Sequence, residues 1–227
     1  MRSGLISLIE YIFPPRCAFC NEILEAGAPI YICEKCAEKI GYYNNCINYL
    51  NLPKELETYC DGMICVGRYS ESLKDSLRRF KFKNKPSYYR AFGMLLALKV
   101  QNTIQLDDID LIIPVPLHKN RQKQRGYNQA ELVAKHASKQ LKVPFADNVL
   151  VKISDSKSQS ILSRNERFFN LEGLFYVNNA KTIINKNILL IDDIITTGST
   201  VNQCSKVLKQ AGAKSIIAGV IATTRNY

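Results

Sequence analysis

The chain has 227 residues, enough for one ordinary α/β domain with a small appendage. Its hydrophobic share of 46% indicates a folded core and excludes a disordered protein. The 31 lysines and arginines against 20 acidic residues give a formal charge of +11, which fits either anionic partners such as nucleic acid and phosphates, or solubility alone.

The first residues carry apolar side chains at helical spacing, interrupted by Glu10. No small-residue cleavage site follows them, so we do not predict a signal peptide. No apolar run reaches the roughly 18 residues of a membrane-spanning helix. We expect a short amphipathic helix docked on the rest of a cytoplasmic protein. Peripheral contact with the inner face of the membrane is the alternative.

Two Cys-x-x-Cys pairs stand near the start of the chain, Cys17 with Cys20 and Cys33 with Cys36. Two such pairs supply four thiolates to one tetrahedral Zn²⁺, whereas two disulfides are the alternative. Because no export signal precedes them, we favour zinc in a reducing compartment. A site with four protein ligands has no open position, so its predicted role is structural.

Cysteine density also divides the chain. Residues 1–60 are predicted to form the N-terminal helix and zinc-finger module, and residues 61–227 an α/β domain. Cys46, Cys60 and Cys65 lack Cys-x-x-Cys spacing, so we do not predict a second metal site. Cys65 lies in a predicted apolar strand and Cys204 in a predicted helix, and both are interpreted as small buried residues.

In the second part, apolar runs predict strands at residues 62–69, 110–114, 173–177, 187–192 and 215–222. Apolar periodicity and capping residues predict helices at residues 72–82, 88–100, 128–141 and 200–211. Strands that alternate with helices predict a parallel sheet flanked by helices.

Between residues 62 and 100, a basic helix carries cations that alternate with Phe80 and Phe82. The cations are Lys74, Arg78, Arg79, Lys81, Lys83 and Lys85. Cationic grooves with aromatic platforms hold single-stranded nucleic acid. A solvated basic face with both phenylalanines in the core is an equally good interpretation.

A basic segment follows the predicted strand at residues 110–114. Val115, Pro116 and Leu117 come first, and His118 leads into a stretch from residue 119 to Arg125 that is rich in cations and has no acid. We interpret this stretch as a mobile lid whose cations stabilise the negative charge of a ligand. A solvated basic loop is the alternative, and we assign no acid–base role to His118.

The strand at residues 187–192 leads through Asp192 and Asp193 into a polar turn and a helix. The turn contains Thr196, Thr197, Gly198, Ser199 and Thr200. Ligands bind at the carboxyl ends of parallel strands, and the start of a helix offers free N–H groups to a phosphate. The two carboxylates suit sugar hydroxyls, directly or through Mg²⁺. The sequence predicts a ribose-phosphate site; simple helix capping is the alternative.

Residues 189–200, Leu-Leu-Ile-Asp-Asp-Ile-Ile-Thr-Thr-Gly-Ser-Thr, resemble the phosphoribosyl pyrophosphate (PRPP) motif of type I phosphoribosyltransferases. The resemblance implies that Asp192 and Asp193 contact the ribose 2′ and 3′ hydroxyls, with Asp193 also a candidate catalytic base. It implies that the turn holds the 5′-phosphate, that residues 115–117 form the pyrophosphate loop, and that Mg²⁺ accompanies PRPP. It also implies that Arg125 and the neighbouring lid cations stabilise the leaving pyrophosphate.

Further motifs resemble the ComF family of late competence proteins. They are Pro-Val-Pro-Leu-His at residues 114–118, Arg-Gly-Tyr-Asn-Gln at 125–129, the basic helix at 73–83, the Lys-x-Gln stretch at 157–170, and Phe-Pro-Pro-Arg-Cys at 13–17. The resemblance implies a role in DNA uptake during natural transformation, handling of single-stranded DNA, and a helicase partner.

Two function classes remain open at this stage. One is a glycosyltransferase of the phosphoribosyltransferase type that displaces pyrophosphate with an acceptor; the other is a sensor or scaffold that holds PRPP while DNA is the working partner. A purine- or pyrimidine-type phosphoribosyltransferase of nucleotide salvage is the alternative to the competence role. The sequence carries no distinct base-recognition signature, so the acceptor is not predicted.

Overall fold

A computed structural model describes residues 13–28, 30–153 and 173–225. The amphipathic N-terminal stretch and the motif at residues 157–170 lie outside these ranges. Within them, no helix has the length and apolarity to cross a membrane. The helices and strands are α1 Glu34–Ala37, β1 Gly62–Arg68, α2 Glu71–Phe82, α3 Tyr89–Gln101, β2 Leu111–Pro114, α4 Lys119–Arg125, α5 Gln129–Leu141, β3 Leu150–Lys152, β4 Phe175–Val177, β5 Asn187–Ile195, α6 Ser199–Gln210 and β6 Ser215–Thr223.

The sheet is parallel, as predicted. In the described residues its strand order is β1-β6-β5-β2, and each neighbouring pair runs parallel. Its strands are almost entirely apolar because helices cover both faces, so alternation with polar residues is absent. β5 lies between β6 and β2, which brings its carboxyl end to the middle of the sheet edge.

The two faces of the sheet have different cover. Helices α2, α3 and α5 pack on one face, together with buried residues of the cysteine module. Helix α6 packs on the other, beside the strands β3 and β4. The strand predicted at residues 173–177 is confirmed, but it pairs antiparallel with β3 and stands outside the parallel sheet.

The basic stretch after β2 is a helix, not the loop that the sequence suggested. Helix α4 begins after His118, whose Nδ1 accepts a hydrogen bond from Asn120 N at 3.3 Å. It ends at Gly126, which takes the left-handed conformation with φ of 81°. Polar, flexible side chains with good helix propensity account for this helix. A role as a lid stays a prediction.

The cysteine module packs directly on the α/β part. Phe19 lies edge-on to Phe92 of α3, with ring centroids 6.3 Å apart. Ser76 of α2 donates a hydrogen bond to Ala18 O at 2.7 Å, and Arg79 donates to Phe19 O. These contacts fix the module against α2 and α3. The boundary at residue 60, just before β1, stays a prediction.

Candidate functional site

The acid pair stands at the end of the central strand β5. Successive side chains of a strand point to opposite faces of the sheet. Asp193 accordingly meets Lys81 of α2, with Lys81 Nζ 2.8 Å from Asp193 Oδ2. Asp192 lies on the α6 side, where its charge adds to burial in raising the pKa of Cys204. The two carboxyl groups therefore lie on opposite faces of the sheet, at the end of β5.

The Asp192 carboxyl titrates near neutrality. Burial raises its pKa from 3.8 to about 7, and the neighbouring charge of Asp193 adds to this rise. Lys81, Lys152 and the backbone N–H of Asp193, which donates to Asp192 Oδ1 at 2.8 Å, act in the opposite direction. A carboxyl group poised near pH 7 at a cleft is typical of a functional site.

The turn after β5 is shaped for close approach of an anion. Gly198 has a φ of 85°, the left-handed region that side chains other than glycine disfavour, and it stands directly before α6. Thr197 Oγ1 lies 2.5 Å from Ser199 Oγ and accepts a hydrogen bond from Ser199 N at 3.3 Å. Backbone N–H groups, hydroxyls and the positive end of α6 thus converge on one small cleft.

This cleft has a volume of about 40 Å³ in the described structure. Its lining includes Asp192 and every residue of the predicted phosphate turn, namely Thr196, Thr197, Gly198, Ser199 and Thr200. The strand–turn–helix predicted from the sequence is therefore present, with the ligand-type side chains gathered on one side.

The segment of residues 50–59, distant in sequence, packs against the phosphate turn. A Cβ atom added to Gly198 would lie 3.3 Å from Leu50 Cδ2 and from Leu52 Cδ2. One helical turn on, Asn202 accepts a hydrogen bond from Tyr59 N at 2.8 Å and donates to Glu57 O at 2.9 Å. The segment before β1 therefore buttresses the phosphate turn. Sequence reasoning missed this, since these residues show no periodicity or motif.

The loop after β2 lies next to the acid pair. Val115 N donates a hydrogen bond to Ile191 O at 2.8 Å, one residue before the first acid. The buried Asn128 holds this loop, because its Nδ2 donates to Val115 O at 3.1 Å while its Oδ1 caps α5. Pro116 and Leu117 follow and are partly exposed. The structure thus places the predicted pyrophosphate loop beside the predicted ribose acids.

Arg125 also faces the acid pair. Burial lowers its pKa, and the charge of Asp193 opposes that effect. The guanidinium lies 5.0 Å from the centroid of the Phe82 ring and donates to Gln129 Oε1 at 3.2 Å. It is thus held in place between α2, α4 and α5. The predicted residues at both strand ends and Arg125 belong to one region of the surface.

The four cysteines of the two Cys-x-x-Cys pairs form one cluster, as their spacing predicts. The sulfur atoms of Cys17, Cys20, Cys33 and Cys36 all lie within 4.8 Å of one another, and Cys20 Sγ is 3.7 Å from Cys33 Sγ. Four sulfurs at the usual zinc–sulfur distance in a tetrahedron stand about 3.8 Å apart. All eight cysteines lie in the described residues and are free, which argues against the disulfide alternative. The cluster is arranged to bind a structural metal ion.

The backbone around Cys17 stabilises a thiolate. Although burial raises the pKa of this thiol, backbone hydrogen bonds involving Cys20, Cys33 and Phe19 outweigh burial and lower it to about 7. Phe19 N and Cys33 N each lie 3.4 Å from the Cys17 sulfur. Burial raises the pKa of Cys36, and side-chain hydrogen bonds with Cys33 and Cys20 add to this rise. Backbone N–H donors to a ligand sulfur, such as those of Phe19 and Cys33 to Cys17, orient that ligand around a metal.

A family model described as a phosphoribosyl transferase domain matches residues 128–227. The chain is 36% identical over 189 residues to Competence protein F from Haemophilus influenzae, covering 81% of each chain. It is 30% identical over 196 residues to Competence protein ComFC from Streptococcus pneumoniae, covering 81% of this chain and 82% of that one. It is 28% identical over 157 residues to the DNA utilization protein YhgH from Shigella flexneri, covering 68% of each.

The chain belongs to the ComF family. The matched phosphoribosyl transferase domain begins at Asn128, the residue that holds the Val115 loop, and contains β5, the acid pair and the phosphate turn. The cysteine cluster and the basic helix stand before it. This ComF family member therefore combines a cysteine module whose four thiols are suited to a metal ion with a phosphoribosyltransferase-type domain.

The basic helix of this ComF protein divides into residues with different roles. Phe80 is completely buried in the core, whereas Phe82 is 64% exposed. Arg79 is bonded to the cysteine module and Lys81 to the acid pair. The exposed cations are Lys74, Arg78, Lys83 and Lys85. Phe80 is therefore a core residue, and binding of nucleic acid by Phe82 and the exposed cations stays a prediction.

The remaining cysteines stand apart from the cluster. Cys60 and Cys65 are buried, and burial raises the pKa of Cys65 to about 12. Cys204 is buried in α6, which confirms its interpretation as a small core residue, and Cys46 is exposed. Among the described residues, the one group suited to a metal ion is the cluster of the two Cys-x-x-Cys pairs.

Proposed function

We propose that this ComF family member binds PRPP at the carboxyl end of β5. The carrying observation is the joint placement of Asp192, the glycine turn and the start of α6 in one cleft, with Asp193 the next residue of β5. Asp192 and Asp193 hold the ribose hydroxyls, and the backbone and hydroxyls of the Thr196–Thr200 turn hold the 5′-phosphate. Val115, Pro116, Leu117 and Arg125 take the pyrophosphate.

Mg²⁺ fits this site as a companion of PRPP. Carboxylates together with substrate phosphates are the ligands that Mg²⁺ favours, and Asp192 is placed to contact the ion directly or through water. When bound, the ion neutralises charge on the pyrophosphate. The cationic side chains Lys81 and Arg125 stand on the other side of the acid pair and share this task.

The cysteine cluster holds a structural Zn²⁺ in this proposal. Four thiolates fill a tetrahedral shell and leave no position for substrate. The ion fixes the short loops of a module that has little core of its own. The module occupies residues 1–60 and the transferase-type domain residues 61–227.

The biological role that we propose is handling of single-stranded DNA during natural transformation, at a cytoplasmic location. Its support is the competence and DNA-utilization names of the relatives, together with the exposed cations Lys74 and Arg78 on α2. A helicase of the uptake machinery, met at the inner face of the membrane, is the proposed protein partner.

We further propose that the site transfers the phosphoribosyl group to an acceptor. The nucleophile forms a bond to C1′ of the ribose, and the bond from C1′ to pyrophosphate breaks. Asp193 stands as the proposed base that takes a proton from the acceptor, while the Asp192 carboxyl, with its pKa of about 7, is the second group able to do so.

Calorimetric titration tests the binding proposal. PRPP is added to the zinc-loaded protein with and without MgCl₂, and to the variants Asp192→Asn, Asp193→Asn and Asp107→Asn. Asp107 is exposed and serves as the control. We expect binding that needs Mg²⁺ and weakens at least about tenfold in the first two variants only. Absence of PRPP binding to the parent protein contradicts the proposal.

Release of pyrophosphate, assayed with free bases and with single-stranded DNA, tests the transfer step. Turnover that disappears in Asp193→Asn supports an enzyme. Turnover with a free purine or pyrimidine, and none with DNA, favours the salvage alternative. Binding of PRPP without pyrophosphate release under each acceptor contradicts the transfer step and leaves a PRPP-binding scaffold.

A further inference from the structure

A second cavity lies beside the acid pair, between the end of α2 and helix α4. Its volume is about 570 Å³, against about 40 Å³ for the phosphate cleft. Among the described residues, those that line it include four cations, Lys81, Arg121, Lys123 and Arg125, and no carboxylate. A concave surface with this charge attracts a phosphate-bearing ligand.

An aromatic side chain forms part of the same wall. Phe82 is 64% exposed and lies in the cavity lining. The Arg125 guanidinium stands 5.0 Å from its ring centroid and is fixed by the bond to Gln129. An exposed ring beside an immobilised guanidinium is a stacking surface for a planar base, since both groups stack on π faces.

One face of α2 is exposed to solvent and ends at Phe82. Lys74, Arg78 and Phe82 are spaced by four residues, so they follow one another along one side of the helix. All three are exposed. A single-stranded nucleic acid bound along this face would contact Lys74 and Arg78, and then the Phe82 ring at the edge of the cavity. The two cations suit phosphates of a nucleic acid strand, and the ring suits one of its bases.

The cavity shares a wall with the proposed ribose site. Lys81 lines the cavity and also contacts Asp193 Oδ2 at 2.8 Å. Arg125 likewise lines the cavity and interacts electrostatically with Asp193. A ligand in the cavity therefore lies next to the carboxylates that hold the ribose of PRPP in the proposed function.

We infer that this cavity binds a nucleotide, with its base stacked on Phe82 and its phosphate held by the Lys81, Arg121 and Lys123 cations. The inference rests on the proposed function only in naming this nucleotide as the acceptor-side neighbour of PRPP. The nucleotide is either free or one unit of a DNA strand, and the chemistry of recognition is the same. A simple polyanion such as pyrophosphate has no planar group that could stack on the Phe82 ring.

Two titrations test the inference on the full zinc-loaded chain. Thymidine 5′-monophosphate is followed by calorimetry, and a short fluorescein-labelled thymidine oligonucleotide by anisotropy. The variants are Phe82→Leu, which keeps apolar bulk, Phe82→Tyr, which keeps the ring, and Lys123→Gln. Lys139→Gln is the matched charge control, because Lys139 is exposed on α5 and stands outside the cavity lining.

We expect about tenfold weaker binding in Phe82→Leu and near-parent binding in Phe82→Tyr, as loss of one base stack predicts. Lys123→Gln weakens binding several-fold and Lys139→Gln does not. Dependence on Phe82 seen with the oligonucleotide alone assigns the site to a DNA strand. Dependence seen with the mononucleotide alone assigns it to a free nucleotide.

Equal binding of both ligands to the parent, Phe82→Leu and Lys123→Gln overturns the inference, and so does a failure of both ligands to bind. Binding of inorganic pyrophosphate that is weakened by Lys123→Gln but not by Phe82→Leu, with no nucleotide binding, shows an anion site instead. A PRPP titration of the same samples keeps the two proposals separate. PRPP can bind normally while the nucleotide inference fails, and the converse is equally measurable.

Discussion

Lys81 Nζ lies 2.8 Å from Asp193 Oδ2, and this contact joins the basic helix α2 to the acid pair at the end of β5. Both side chains are mostly buried, with 19% and 12% of their surfaces exposed. A pair in this setting is screened less than a surface salt bridge. The contact therefore couples the stability of α2 to the geometry of the proposed PRPP site.

Lys81→Met tests this coupling. Removal of the cation leaves the Asp193 carboxylate without its partner, so we expect the free energy of unfolding to fall by about 1–3 kcal/mol. Denaturant unfolding measures it. Lys83→Met is the control, because Lys83 lies two residues on and is exposed. Equal stability of the two variants would show that the pair contributes nothing.

The pKa of Asp192 predicts a pH dependence of stability. The pKa in the folded protein is about 7, above the ordinary 3.8, so the folded state binds the proton more tightly than the unfolded state. This group's contribution is favourable at acid pH and declines as the pH rises from about 4 to about 7. Asp192→Asn removes the cost of the ionised form. We expect its melting temperature to exceed that of the parent by about 2–4 °C at about pH 8 and by less at about pH 5.5.

The same pKa predicts a pH dependence of ligand binding. Mg²⁺ and sugar hydroxyls bind the ionised carboxylate, so PRPP affinity is expected to rise as the pH passes through about 7. PRPP itself titrates in this range, and Asp192→Asn provides the reference for that background. Calorimetry between about pH 6 and 8 gives the comparison. Identical slopes for parent and variant would remove Asp192 from the binding equilibrium.

The phosphate turn makes a prediction about Gly198. Alanine at this position is strained at a φ of 85°, and its Cβ would press on Leu50 and Leu52 at 3.3 Å. We expect Gly198→Ala to lower the free energy of unfolding by about 1–2 kcal/mol and to weaken PRPP binding. Gly27→Ala is the control, because Gly27 has a φ of 79° and open space around it. We expect Gly27→Ala to carry only the backbone strain, without a close contact of the added Cβ, and to leave PRPP affinity unchanged.

Elemental analysis of protein purified under reducing conditions tests the cysteine cluster. We expect one zinc ion per chain, lost in Cys20→Ser and retained in Cys46→Ser, whose sulfur stands outside the cluster. Loss of zinc also lowers thermal stability, because Arg79 and Ser76 hold on to the module's backbone. Metal-free protein of full stability would contradict the zinc site.

The sequence predicted the parts of the site that are local. An apolar run, two acids, a glycine turn and a helix are consecutive along the chain, so β5, the turn and α6 follow from short-range patterns. The helical phase of α2 also separates Phe80 from Phe82. Leu73, Leu77 and Phe80 recur at helical spacing and face the core, so a residue two positions beyond Phe80 points away.

The tertiary contacts of the site were not predictable in this way. Lys81 lies on α2 and Asp193 on β5, and a single sequence does not show that these two elements pack against each other. Leu50 and Leu52 support the turn from a segment without regular structure, where no period marks a buried side chain. The charged residues of helix α4 show no apolar period, so the sequence indicates a loop there. Such short helices depend on capping and on neighbouring elements.

A crystal structure of the protein with PRPP and Mg²⁺ tests the central claim most directly. Our account predicts the 5′-phosphate within hydrogen-bonding distance of the backbone N–H groups of the Thr196–Thr200 turn, and the ribose hydroxyls or the Mg²⁺ shell on Asp192 and Asp193. PRPP bound elsewhere, for instance wholly within the cationic cavity beside Phe82, with the β5 turn empty, would contradict it.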